Sequence, residues 1–156
     1  MVEIRTAKLE DLKEIQRLNQ ILCKKEHDEY DPLIIGDWPY RKEGEEFFKN
    51  RIIEEDGFVV VAIKNNIIIG YLAGGLSKPL SYRKIDKMVE LDNMFVLDAY
   101  RSSGIGSKLY NEFVKWCKKT GTKRILVHAS AQNKKGIEFY KKVGFKEYTM
   151  ELETEV

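Results

Sequence analysis

The sequence predicts an α/β protein: a mixed, mostly antiparallel central sheet with one β-α-β unit and helices on both faces. Three observations carry that expectation. Apolar residues recur at helical spacing in four stretches and as short β-branched runs between them. Two of those runs flank Asn65-Asn66, a two-residue hairpin signal that gives an antiparallel half. Further along, a run, a glycine-bearing turn, an amphipathic helix and another run follow in order, which requires a parallel pair joined by a right-handed crossover.

Val2–Thr6 alternates and reads as a first strand. Leu12, Ile15, Leu18 and Leu22 mark one face of a helix from about Leu9 to about Glu29, and Asp31-Pro32 interrupts it. A loop with Gly36, Trp38 and Pro39 leads to a second helix, Lys42–Glu55. Its buried side carries Phe47, Phe48, Ile52 and the stem of Arg51. Phe58–Ile63 and Ile67–Leu76 form the hairpin. Gly70, Gly74 and Gly75 inside a strand suggest a bulge or a close backbone approach. A polar connection, Ser77–Lys87, reaches the strand Val89–Leu97. Then come a helix over Gly104–Thr120, a strand over Arg124–His128, a short helix over Asn133–Val143 and a last strand over Phe145–Glu153.

Composition narrows the function classes. The 156 residues read as one domain, 1–156, with no repeat or linker. Twenty-seven basic against 25 acidic residues leave a mixed surface, so nucleic acid is not the expected partner. The longest apolar run, Phe58–Ile63, is too short to span a bilayer, and no membrane partner is expected. Two cysteines cannot build a disulfide framework, which fits a reducing, cytoplasmic setting. Cys23 and His27 stand four apart on a helix, but no second pair of ligands has metal spacing, so no metal is expected.

The stretch with chemical content runs from Val89 to Gly106. A strand ends, Arg101-Ser102-Ser103-Gly104-Ile105-Gly106 turns, and a helix starts. The first N–H groups of a helix lack partners and sit at the positive end of its dipole. Glycines let a ligand approach the backbone closely. Strand, glycine loop and helix together make an anion site suited to a phosphate or diphosphate, or a tight turn that binds nothing.

These stretches resemble the Gcn5-related N-acetyltransferases (GNAT). Arg101–Gly106 is similar to that family's Arg/Gln-x-x-Gly-x-Gly/Ala loop. Asn133, Phe139-Tyr140 and Gly144-Phe145 match its second block, and the element order matches as well. Ser102 departs from the pattern, where glycine is common. The resemblance implies the acyl-CoA N-acyltransferase fold, acetyl-CoA as cosubstrate and a primary amine as acceptor. It implies that the amides from Arg101 through Ser103, Gly104, Ile105, Gly106 and Ser107 hold the diphosphate. It also implies that the main chain of Phe95, Val96 and Leu97 pairs with the pantetheine arm as an added strand would.

The same resemblance places Tyr140 as proton donor to the departing thiolate and Asn133 as a cofactor contact, although Asn is also a preferred N-cap. Asp92 and Glu90, two apart on a strand and so on one side of it unless a bulge intervenes, are the candidate bases. Relatives resembling polyamine acetyltransferases carry a Glu where Asp92 stands, and a bridging water is the alternative. Glu26, Tyr30 and Trp38 lie where the family builds its substrate wall, and an acidic, aromatic wall suits a cationic amine. A small cationic amine is therefore the expected acceptor. A protein lysine or N-terminal amine and a non-catalytic acyl-CoA sensor are the alternatives. A homodimer is a further analogy with the family.

Overall fold

A computed structural model describes all 156 residues. Its elements are β1 (Glu3–Thr6), α1 (Leu12–Glu29), α2 (Lys42–Ile53), β2 (Gly57–Lys64), β3 (Ile67–Ser77), β4 (Met88–Val96), α3 (Ile105–Lys119), β5 (Arg124–Val127) and α4 (Lys134–Lys142). The five strands lie side by side in chain order. The first four pair antiparallel, and β4 pairs with β5 in parallel.

The sheet separates two cores. On one face Ile15 and Leu18 of α1 and Phe48 of α2 pack on Val59, Val61, Tyr71 and Phe95. On the other, Ile105, Leu109, Phe113 and Cys117 of α3 pack on Val60, Leu72, Leu91 and Val96. Alternation along β2, β3 and β4 explains the split, because successive side chains leave a strand on opposite sides. The hairpin turn is as expected: Asn65 and Asn66 have φ of 50° and 62°, the left-handed pair that a two-residue turn needs.

Two local breaks position the site. The β3–β4 register shifts between Ala73 and Gly74, which face Asn93 and Leu91, so Asp92 is the unpaired residue of a bulge. The close approach suspected at Gly75 is real. A Cβ there would lie 2.0 Å from Nη1 of Arg51, whose side chain crosses the strand at that point.

One expected element is missing. Residues 145–153 form no strand and are almost wholly exposed. Tyr148, Met150 and Leu152 alternate as strand residues do, but they have no layer to bury against; Phe145 packs on Tyr110 and Tyr140, and Tyr148 meets the Arg83 guanidinium, 4.1 Å from its ring centre. The strand expected to reach His128 stops at Val127.

Candidate active site

β4 and β5 are paired only from Met88↔Arg124 to Leu91↔Val127. Beyond that point β4 continues for five residues and β5 ends, so the two strands part. Main-chain groups of β4 on that side then lack a strand partner. The ladder with β3 shows which groups these are. Leu97 N donates to Ile69 O at 2.9 Å. Alternation of hydrogen-bonded pairs therefore turns Phe95 toward its partner Tyr71, and turns Met94 and Val96 toward the gap. Of Phe95, Val96 and Leu97, only Val96 presents its main chain there, and Met94 joins it. Sequence reasoning missed Met94 because ladder phase is set by β3, not by β4 itself.

After β4 the chain makes a short 3-10 turn, Asp98–Tyr100, and enters the glycine loop. Ser102 has φ 59° and Gly104 φ 80°. These left-handed residues fold the loop so that the consecutive N–H groups of Ser102 through Ser107 make no hydrogen bond within the chain. The first helical bond of α3 is Lys108 N to Gly104 O, at 3.1 Å. A Cβ on Gly104 would meet nothing within 4 Å, so the concave side of the loop is open. A row of free amides at a helix start fits a diphosphate. Arg101 does not extend over that row. Its Nε donates to Val96 O at 2.8 Å, its Nη2 pairs with Asp98 at 2.8 Å, and its guanidinium lies 5.2 Å from the Phe95 ring centre. It braces the end of β4 instead.

The α1/α2 side of the gap carries the titratable groups. Glu90 accepts from or shares a proton with His128, Oε1 to Nδ1 at 2.8 Å, across the point where the strands part. Asp92 receives two bonds from Arg51 of α2, Nε at 2.8 Å and Nη2 at 3.2 Å. Burial pushes the Asp92 carboxyl up to about 6, against the opposing pull of Arg51. Glu90 and Asp92 do share a face, as expected, and the bulge brings Asn93 onto it as well: Tyr71 Oη donates to Asn93 Oδ1 at 2.6 Å. His128, which the sequence suggests as a polar core or rim residue at a strand end rather than a catalyst, is exposed and meets Glu90 there. Its one legible signal was its place at a strand's carboxyl end.

Tyr140 projects from α4 with its ring 5.7 Å from Phe139 and 5.6 Å from Phe145. Burial, reinforced by the nearby Glu26 carboxylate, pushes its phenol up to about 12. Every buried side-chain nitrogen or oxygen in the molecule has a hydrogen-bond partner. Tyr140 Oη has none within the chain, so it reaches an accessible surface. Burial also raises Glu26.

Asn133 caps α4, accepting from Gly136 N at 3.1 Å, and Tyr30 Oη donates to the same oxygen at 3.4 Å. Thus Glu26 and Tyr30 of the α1 end stand over α4, whereas Trp38 packs on Phe47 and Phe48, with ring centres 5.6 and 6.2 Å away. Cys23 and His27 are engaged separately, with Asn19 at 3.4 Å and the Ile34 carbonyl at 2.8 Å, and no group of three or more metal-type side chains converges.

Residues 16–145 match the acetyltransferase (GNAT) family. The chain belongs to this family. A GNAT relative, an uncharacterized N-acetyltransferase of Methanocaldococcus jannaschii, is 33% identical over 60% of this chain and 41% of its own length. N-alpha-acetyltransferase 50 of Danio rerio is 26% identical over 86% of this chain and 68% of its own. Among solved structures, the BH1408 protein of Bacillus halodurans superposes with a TM-score of 0.82 at 22% identity, covering 97% of this chain and 99% of that one. An aminoglycoside N-acetyltransferase, AAC(6')-Iy, in complex with CoA superposes with a TM-score of 0.74 at 17% identity, covering 99% and 98%. These neighbours share the fold of this chain, which here is a five-stranded mixed sheet with helices on both sides.

Proposed function

We propose that this GNAT domain transfers an acetyl group from acetyl-CoA to a primary amine, by direct attack with both substrates bound. The observation that carries the reading is the free amide row of Ser102–Ser107 beside a gap between β4 and β5. The two features are contiguous, as the diphosphate and the pantetheine arm of one molecule would need. The CoA bound by the aminoglycoside enzyme of the same fold is consistent with it.

Acetyl-CoA supplies an activated thioester when bound. The rest is the work of this chain. The loop amides hold the diphosphate, and the main chain of Met94 and Val96 holds the arm. Tyr140 keeps its proton at neutral pH and donates a hydrogen bond to the departing sulfur. Full proton transfer to a thiolate of ordinary basicity would be uphill by about 5 kcal/mol, so the bond itself is the contribution. The amine's proton goes to the Glu90–His128 pair, directly or through water. Asp92 is the weaker candidate for that role, because both of its oxygens are held by Arg51.

The acceptor we propose is a small cationic amine, drawn by Glu26 and Glu90. A peptide α-amine is the second reading, favoured by the N-alpha-acetyltransferase relative. Thiol release from acetyl-CoA, measured over a panel of amines and peptides, tests both. Release with neither class, alongside tight acetyl-CoA binding, replaces the enzyme with a sensor.

A further inference from the structure

A hydrogen-bonded chain runs through the core on the α1 side and ends in the site. Cys23 Sγ donates to Asn19 Oδ1 at 3.4 Å, Asn19 Nδ2 donates to Tyr71 Oη at 2.8 Å, and Tyr71 Oη donates to Asn93 Oδ1 at 2.6 Å. Tyr71 and Asn19 are 0% and 3% exposed, and Cys23 is 9% exposed. Nothing else in the proposed reaction uses these groups.

The direction of this chain is what matters. An amide can face either way, and a phenol can donate or accept at one bond. The thiol breaks the tie. Burial pushes Cys23 up to about 11 and raises Tyr71 further still, so both keep their hydrogens at neutral pH. Sulfur is a poor acceptor. With Cys23 donating, Asn19 must accept there and donate to Tyr71, and Tyr71 must donate to Asn93. The Asn93 carbonyl is therefore taken, and only its NH2 is left to face outward. That NH2 has no partner in the chain, and no unpartnered side-chain nitrogen is buried, so it is accessible. The bulge sets it beside Asp92 and on the same side of β4 as Glu90.

From this geometry we infer that the site selects amines bearing an oxygen acceptor next to the reacting nitrogen, an ether, hydroxyl or carbonyl, and that Asn93 Nδ2 is the donor that reads it. Glu90 attracts the cationic end, Asp92 being neutralised by Arg51; Asn93 carries no charge to do so. A plain diamine or alkylamine leaves the Asn93 donor without a partner, which the site penalises. An amino-sugar, amino-alcohol or peptide α-amine satisfies it. The inference rests on the proposed acetyl transfer and narrows its acceptor.

The test uses two amines of the same shape, 2-methoxyethylamine and butylamine, which differ in an ether oxygen that can only accept. Their kcat/KM ratio is measured on the full chain and on Asn93→Asp. That variant keeps an oxygen for Tyr71 and replaces the outward donor by a carboxylate oxygen, which can only accept when ionised. Comparing ratios between the two proteins cancels the different basicities of the amines. We expect Asn93→Asp to lower the ratio about 3- to 10-fold, mainly through kcat/KM for the ether. Asn93→Ala, which brings no new charge, lowers it similarly. An unchanged ratio in both variants overturns the inference, as does turnover of other amines with none of the ether. Absence of thiol release with any amine at all overturns the acetyl-transfer reading instead.

Discussion

The two sides of β4 solve different problems with different materials. Toward α3 and the gap, the candidate site is main chain: the amides of Ser102–Ser107 and the gap-facing groups of Met94 and Val96, of which the Val96 carbonyl is taken by Arg101. Toward α1 and α2, it is side chain: Glu90, Asp92 and Asn93, each held by a partner from a different element. A main-chain site depends on backbone angles more than on which side chains the loop carries. A side-chain site depends on partners, and loses its function when a distant one is changed.

That contrast can be broken first at Gly104. Its φ of 80° is a left-handed angle that a β-branched residue resists, and a side chain there would stand over the open amides. Gly104→Val should weaken acetyl-CoA binding at least about 100-fold by calorimetry, while the melting temperature moves by only a few degrees. Comparable losses of affinity and fold would remove the loop's special role. On the other side, Glu90→Gln should lower kcat/KM about 30- to 100-fold, with acetyl-CoA affinity unchanged. An unchanged kcat/KM would take the proton-accepting role away from the Glu90–His128 pair.

Tyr140→Phe sits between the two sides. It should cut kcat about 10- to 30-fold while the dissociation constant of acetyl-CoA stays within about twofold. An unaltered kcat makes Tyr140 a packing residue. Asp92 sharpens the contrast through stability. Its folded value of about 6 lies above its ordinary 3.8. The folded chain therefore binds more protons than the unfolded chain in that interval, and this group lowers stability as pH rises from about 4 to about 6. Asp92→Asn should flatten that slope in urea melts taken at intervals across the range. A slope that survives would assign it to other groups. The smallest effect belongs to the main-chain side: Ser102→Gly relieves a φ of 59° and should stabilise by up to about 1 kcal/mol without changing acetyl-CoA affinity.

Much of the main-chain side was legible before any coordinates. Strand, glycine loop and helix occupy one continuous stretch from Val89 to Thr120, and the Asn65-Asn66 hairpin is equally local. The errors have a common origin in contacts between distant residues. The strand expected over Phe145–Glu153 has the right alternation, but alternation cannot supply a neighbouring layer. Gly75 looked odd in the sequence, yet its cause, Arg51, lies on helix α2. The phase of the ladder, which turns Met94 and Val96 toward the gap, is set by β3. Trp38, expected at the substrate wall, packs beside Phe47 and Phe48, a contact that only the tertiary structure shows.

By itself the sequence determined the alternation of helices and strands, the hairpin, the glycine-bearing turn and the family pattern. All of these are hydrogen-bonding and periodicity problems settled within about a dozen neighbouring residues. Tertiary structure alone decided that Arg51 holds Asp92, that His128 meets Glu90, and that a buried thiol orients Asn93 through Tyr71. Apart from the Cys23–Asn19 contact within α1, each of these requires side chains tens of residues apart to lie within 3.5 Å of one another. Packing of the two cores against one sheet fixes such distances, and no local pattern encodes them.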